Sequence, residues 1–243
     1  MLDPATDSLR LPDFIGIGAM RAGTSWLRKQ LARHPDVWTA EPKELHFFDR
    51  HFTDDPAAYA EHFKMALVGQ AAGEITPAYA ILDDAIIATA KRWMPDAKLL
   101  FMMRDPVERA WSHAKKDFPQ FRGKAAEESP IEELIAFMDM PAVASRGDYL
   151  TCLKRWLRHF DRDQLWCGFL DEVAINPEPV LRGLFTFLEV DPDKGIDAKA
   201  AAKRENARPG AAVPDVVREH LQSTPYTQND ELSELLGREL PWA

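Results

Sequence analysis

Apolar residues follow two rhythms along this chain. Short unbroken runs at Phe14-Ile15-Gly16-Ile17, Lys98–Met103 and Gln164–Leu170 have the character of buried strands. Between them, apolar residues recur at helical spacing. Trp26, Leu27 and Leu31 form one stripe, ending before Pro35. Tyr59, Phe63 and Leu67 predict a helix over 55–68, and Ile81, Ile86, Ile87 and Trp93 one over 78–93, with Thr76 and Pro77 as its N-cap and first position. Val107, Ala110, Trp111 and Ala114 predict a helix from Pro106, and Tyr149, Leu150, Leu153, Trp156, Leu157 and Phe160 a core-facing one over 149–160. Shorter helices are expected over 131–139, 179–188, 214–221 and 229–237. Gly73–Ile75 reads as a short extended piece leading into a turn. The polar stretch 115–130 reads as an excursion loop suited to an acceptor contact or a lid, and 191–214 as a second loop. Strands alternating with helices imply a three-layer α/β fold, a central parallel sheet with helices on both faces. Ligands of such sheets bind at the carboxyl ends of the strands.

Composition narrows this picture. The chain has 243 residues, 46% of them hydrophobic, enough for one core. No repeat or composition break divides it, so 1–243 is expected to be a single domain with 1–11 as a loose lead-in. With 30 basic and 39 acidic residues the formal charge is −9. Such a chain is not built to coat nucleic acid or an anionic membrane, and the charge disfavours a long polyanionic glycan as ligand. Any anion must be held by a local cluster of cations. Cys152 and Cys167 lack metal-ligand spacing and read as thiols in a reducing compartment. No apolar run reaches membrane-spanning length and Met1–Leu11 is unlike a signal peptide, so a soluble, cytoplasmic protein is expected.

The first strand leads through Gly18-Ala19-Met20-Arg21-Ala22-Gly23 to Thr24-Ser25 and a helix. Strand, glycine loop and hydroxyl-bearing helix start make a phosphate cradle, a P-loop-like build, because unpaired N–H groups and the helix dipole favour an anion there. Gly18 and Gly23 match the glycines of G-x-x-x-x-G-K-[ST], yet Thr24 stands where a triphosphate loop carries Lys, and the cation is Arg21 inside the loop. A kinase or ATPase would need that Lys and an acidic magnesium ligand. Arg104, at the end of the strand 98–103, and Ser112, about two turns into the next helix, are placed to close on a second phosphate. In Lys43-Glu44-Leu45-His46-Phe47-Phe48-Asp49, charged and aromatic residues interleave as in a short extended segment. Either Glu44 is a base whose affinity for protons is raised beside the aromatics, or the segment is a solvated loop pinned by Phe47 and Phe48.

Together these stretches resemble the sulfotransferases that use 3′-phosphoadenosine 5′-phosphosulfate (PAPS), most of all their bacterial members and heparan-sulfate-type branch. Gly18–Leu27 is similar to the 5′-phosphosulfate loop, Arg104–Ser112 to the 3′-phosphate motif, and Lys43–Asp49 to the segment carrying the catalytic Glu; Leu232–Trp242 also resembles the ends of bacterial members. The resemblance implies that Arg21, Ala22, Gly23, Thr24, Ser25 and Trp26 hold the 5′ end of PAPS, and that Arg104 and Ser112 hold its 3′-phosphate. It makes Glu44 the base, with His46 and Asp49 orienting acceptor or base and Arg21 stabilising the departing phosphate. The acceptor would be a small molecule, lipid or sugar bearing a hydroxyl or amine, the product PAP, and no metal would be required. Lys203, Arg204, Asn206 and Arg208 are candidates to cover the 3′-phosphate and adenine. Arg21 stands where many members have Lys, and Ile75 where heparan-type enzymes often have Lys. A binding protein without activity is the remaining alternative, which has no use for Glu44.

Overall fold

The computed structural model describes residues 9–203, 212–227 and 229–242. Five parallel strands form one sheet, in the order β2-β3-β1-β4-β5. They are β1 (Phe14–Gly18), β2 (Val37–Thr39), β3 (Ala71–Ile75), β4 (Lys98–Met103) and β5 (Leu165–Phe169). The helices before β5 are α1 (Thr24–Leu31), α2 (Phe47–Arg50), α3 (Pro56–Ala60), α4 (Asp84–Trp93), α5 (Pro106–Arg122), α6 (Ile131–Met138), α7 (Pro141–Ala144) and α8 (Tyr149–Trp156). After it come α9 (Leu170–Ile175), α10 (Pro177–Phe187), α11 (Ala198–Ala201), α12 (Asp215–Gln222) and α13 (Asn229–Leu236). None of the described helices is long and apolar enough to cross a membrane.

The two most buried strands, β1 and β4, are apolar runs near the middle of the sheet. All five residues of β1 are buried, as are Leu99 to Met103 of β4. Parallel strands covered on both faces need such runs, because neither face meets water. The extended piece at 73–75 becomes β3, and β2, at 37–39, is a strand the sequence reading does not anticipate. They are short and carry Glu74, Thr39 and Gly73, which hides them from a hydrophobicity reading. Gly73 is required by β1: a Cβ there would lie 2.3 Å from the Phe14 carbonyl oxygen. Phe14, Ile17, Leu27, Leu31, Phe101, Leu153, Trp156 and Phe185 belong to the main core. A second cluster joins α5, α6 and α12 through Trp111, Phe118, Leu134, Phe137, Val217 and Leu221.

Three helical expectations change. The helix predicted over 55–68 is α3 followed by a 3₁₀ turn at Glu61–Phe63, and Leu67 is exposed. The one over 78–93 is a 3₁₀ turn, Pro77–Ile81, then α4. The largest change is at 115–130, where α5 continues to Arg122 before the chain turns at Gly123. Phe118 is fully buried in the second cluster and edge-on to Phe137, which holds this stretch helical despite Pro119 and the polar outer face.

Candidate active site

The sheet order places β1 between β3 and β4, so the chain leaves β1, β3 and β4 side by side at their carboxyl ends. A cleft of about 990 Å³ opens there, bounded by the loop after β1, the segment before α2, the start of α5 and the residues following β5.

Its floor is the start of α1. Gly23 is the N-cap, at φ 98°, and no side chain caps the first-turn amides. The left-handed backbone needs glycine, and a Cβ at this position would also meet Leu170 at 2.9 Å. The amides of Thr24 and Ser25 are thus left for an outside acceptor, at the positive end of the helix dipole. Arg21, also left-handed at φ 68°, donates from Nε to Ser112 Oγ at 3.2 Å. The two expected anion sites are therefore one continuous surface. Arg104 pairs with Glu108 at 3.3 Å, and Glu108 also accepts from Arg218 of α12 at 3.0 Å. Asp105 does not pair with Arg104. It caps α5, accepting the Val107 and Glu108 amides at 2.7 and 3.2 Å.

The Lys43–Asp49 segment forms the opposite wall, but not as an extended piece. Glu44 and His46 have φ of 62° and 52°, and α2 begins at Phe47. Phe47 and Phe48 turn inward against Tyr59 and Trp93, away from Glu44, which faces the cleft. The two rings expected beside the Glu44 carboxyl are thus packed in the core. Lys43 bridges the two walls, its Nζ 2.8 Å from Ser25 Oγ and 2.8 Å from Glu44 Oε1. His46 Nδ1 meets the Asp49 carboxylate at 2.9 Å and its Nε2 stands 3.6 Å from Glu44 Oε2. Asp49 thus sets the ring so that Nε2 looks towards Glu44.

One of the expected contacts, Ala22, does not reach the cleft and is fully buried. Trp26 stands in the wall with its ring buried, and donates Nε1 to the Ala201 carbonyl at 2.8 Å. That bond ties α11 to α1 and brings Lys203 to the cleft edge. Arg204, Asn206 and Arg208 lie outside the described residues. Thr76 makes no N-cap bond; its hydroxyl serves Glu74 and His46 instead.

Several cleft residues escaped the sequence reading. Lys43 was visible beside Glu44, but nothing local said that it reaches Ser25. Arg146, from the loop before α8, and Lys115, Lys116 and Asp117 of α5 line the outer end beside Arg50. Burial lowers the pKa of the Arg146 guanidinium, opposed by Asp117 and Asp49, and its Nε has no partner among the described residues. Burial raises the pKa of Asp171, in the first turn of α9, and leaves its Oδ2 unpaired among them. Four lysines and four arginines line the cleft against Glu44, Glu108, Asp117 and Asp171. A chain of net charge −9 thus concentrates positive charge at one place.

Fold and site together define an α/β protein with a parallel sheet whose cation-lined cleft lies at the strands' carboxyl ends, facing a carboxylate–imidazole pair. A family model for the sulfotransferase domain matches residues 11–207, and the chain belongs to the sulfotransferase family. It is 33% identical over 189 residues to mouse heparan sulfate glucosamine 3-O-sulfotransferase 3B1, covering 74% of this chain and 47% of that protein. It is 27% identical over 260 residues to mouse heparan sulfate glucosamine 3-O-sulfotransferase 6, covering 96% and 74%. The chain spans about half the length of the first of these relatives. Among solved structures, a sulfotransferase from Alicyclobacillus acidocaldarius superposes with a TM-score of 0.74 at 26% identity, over 95% of this chain and 97% of that one. A mouse sulfotransferase complexed with PAP shares the fold, with a TM-score of 0.50 at 16% identity, over 98% and 82%.

Proposed function

We propose that the chain transfers a sulfuryl group from PAPS to a hydroxyl or amine of an acceptor carrying an anionic group. The observation that carries this reading is the Lys43 bridge, which ties the anion-binding helix start at Ser25 to the carboxylate of Glu44. The donor set fits the nucleotide. Uncapped amides at 24–25 with Arg21 suit a 5′-phosphosulfate, and Arg104 with Ser112 suits a 3′-phosphate. The unpaired Asp171 oxygen suits a hydroxyl or amino group of the nucleoside.

When bound, PAPS supplies the sulfuryl group and a phosphate leaving group. This chain's residues then have distinct tasks. Glu44 takes the proton of the acceptor hydroxyl, and His46, set by Asp49, orients that carboxylate or the hydroxyl. Arg21, Lys43 and the first-turn amides balance charge on the 5′ phosphate oxygens. Positioning and charge stabilisation carry most of such a reaction, as in phosphoryl transfer. Arg50, Arg146, Lys115 and Lys116 at the outer end support an acceptor bearing carboxylate, sulfate or phosphate, whether sugar or compact metabolite. The expectation drawn from net charge concerns the whole chain, whereas these cations line the cleft itself and support an anionic acceptor there. The two relatives named above are described as acting on heparan sulfate glucosamine, an anionic sugar. A kinase reading is not favoured: Thr24 stands at the lysine position, and Asp105 is occupied in capping α5.

Incubation of a cell extract with the protein and ³⁵S-labelled PAPS, against γ-³²P-labelled ATP with magnesium, tests the reading. Labelled anionic products are expected from PAPS alone. Transfer from ATP, or from neither donor, overturns it.

A further inference from the structure

Glu74, in β3, is the one carboxylate sealed from solvent among the described residues, at 2% exposure, and it lies behind the candidate base. Its oxygens accept the Thr76 hydroxyl at 2.6 Å and the Tyr59 hydroxyl at 3.2 Å. The Tyr79 hydroxyl and the Leu45 amide also face it and pull its pKa down. Thr76 Oγ in turn accepts the His46 amide at 3.3 Å, and the Tyr79 oxygen accepts those of Phe47 and Phe48 at 2.9 and 3.4 Å. Three consecutive amides, His46 to Phe48, thus end on Thr76 or Tyr79, with the Leu45 amide facing Glu74 beside them. This stretch holds Glu44 and His46 in left-handed backbone. Such a conformation is costly for residues with side chains and persists only where the surroundings hold it.

We propose that Glu74 is a positioning residue: its ionised carboxylate orients Thr76 and Tyr79 to grip the Glu44–His46 segment, and its protonation loosens that grip. A carboxylate only accepts, so both hydroxyls must donate to it and keep their lone pairs for the amides. A protonated Glu74 donates one bond instead, and the Thr76 oxygen is its nearest partner, in competition with the His46 amide. Burial pushes the Glu74 pKa up to about 7 against the pull of the hydroxyls and the amide. The titratable groups facing it are Tyr59 of α3 and Tyr79 of the 3₁₀ turn, both kept protonated by burial and by Glu74 itself. Its register partner on β1 is Ile15. Glu44, His46 and Asp49 stand on the gripped segment. Because the folded pKa lies above the ordinary value, Glu74's contribution to stability is full below about pH 4.5 and is lost as pH rises through about 7. Grip and stability therefore move in opposite directions with pH, which no purely structural role produces.

The proposal rests on the sulfotransferase reading only for what the segment does. Its test, amide hydrogen exchange on the full chain with thermal unfolding at about pH 6 and about pH 8, needs no acceptor. In the wild type, protection of amides 45–48, corrected for intrinsic exchange, should rise with pH while the melting temperature falls. Glu74→Gln should abolish both trends, leave 45–48 exchanging fast at either pH, and spare β1 and β4. Thr76→Val, a second variant, should free the His46 amide yet keep the fall in melting temperature. Protection at 45–48 that ignores pH and both substitutions means that packing of Phe47 and Phe48 holds the segment, and overturns the proposal. So does a loss in Glu74→Gln spread over the whole sheet, with His46 unaffected in Thr76→Val. Failure of the sulfotransferase reading appears instead in the labelled-donor assay.

Discussion

At the residue scale, the Glu44 carboxylate and the Lys43 ammonium act on different quantities. Glu44→Gln keeps the shape and the contact with Lys43 but cannot take a proton, so turnover should fall by about 10²–10⁴. PAP affinity by calorimetry should stay within about twofold, a difference of under half a kcal/mol. A variant retaining more than about a tenth of wild-type turnover removes Glu44 from the chemistry, since that loss is under 1.4 kcal/mol. Suspicion then passes to His46, whose ring stands next to it. Lys43→Met removes a charge that touches both Ser25 and Glu44. Lys43 is partly exposed, so its loss belongs at the low end for charge-assisted bonds, about tenfold in PAP affinity. Unchanged affinity in a titration would leave Lys43 as a partner of Glu44 alone.

At the element scale, the second anion contact depends on how α5 begins. Asp105 caps it with two bonds, and Arg104 and Ser112 stand on either side of that cap. Asp105→Ala should cost about 1 kcal/mol of stability in urea unfolding. It should also weaken PAP more than adenosine 5′-phosphosulfate, which lacks the 3′-phosphate. Arg104→Ala should show the same selectivity with a smaller loss of stability, because Arg104 pairs with the partly exposed side chain of Glu108 and not with the first-turn amides of α5. Equal loss for both nucleotides in either variant would place the 3′-phosphate elsewhere.

At the scale of the whole molecule, charge and topology act together. A cleft rich in lysine and arginine within an acidic chain should bind PAP less tightly as salt rises, several-fold between about 0.05 and 0.5 M, because screening acts on partly exposed charges. At a hundred times its dissociation constant PAP should stabilise the fold by about 2.7 kcal/mol, and ATP with magnesium at the same concentration far less. A melting-temperature series reads both effects, and a larger shift with ATP reverses the choice of nucleotide.

Much of this was legible along the chain because it is local chemistry. The apolar runs of β1, β4 and β5, the glycine loop into α1 and the Arg104–Ser112 spacing depend on neighbours a few residues away, and so fold class and anion-binding loop follow from periodicity and helix-terminus physics. What required the tertiary structure was each contact between distant segments. Phe118 continues α5 through a polar stretch because a second core covers one face. Lys43 reaches Ser25 across the cleft because β2, β3 and β1 lie side by side. Glu74 has the sequence look of an ordinary surface acid. Only the packing of Tyr59, Thr76 and Tyr79 around it makes it a buried carboxylate, since desolvation is set by everything that surrounds a group and not by its neighbours in the chain.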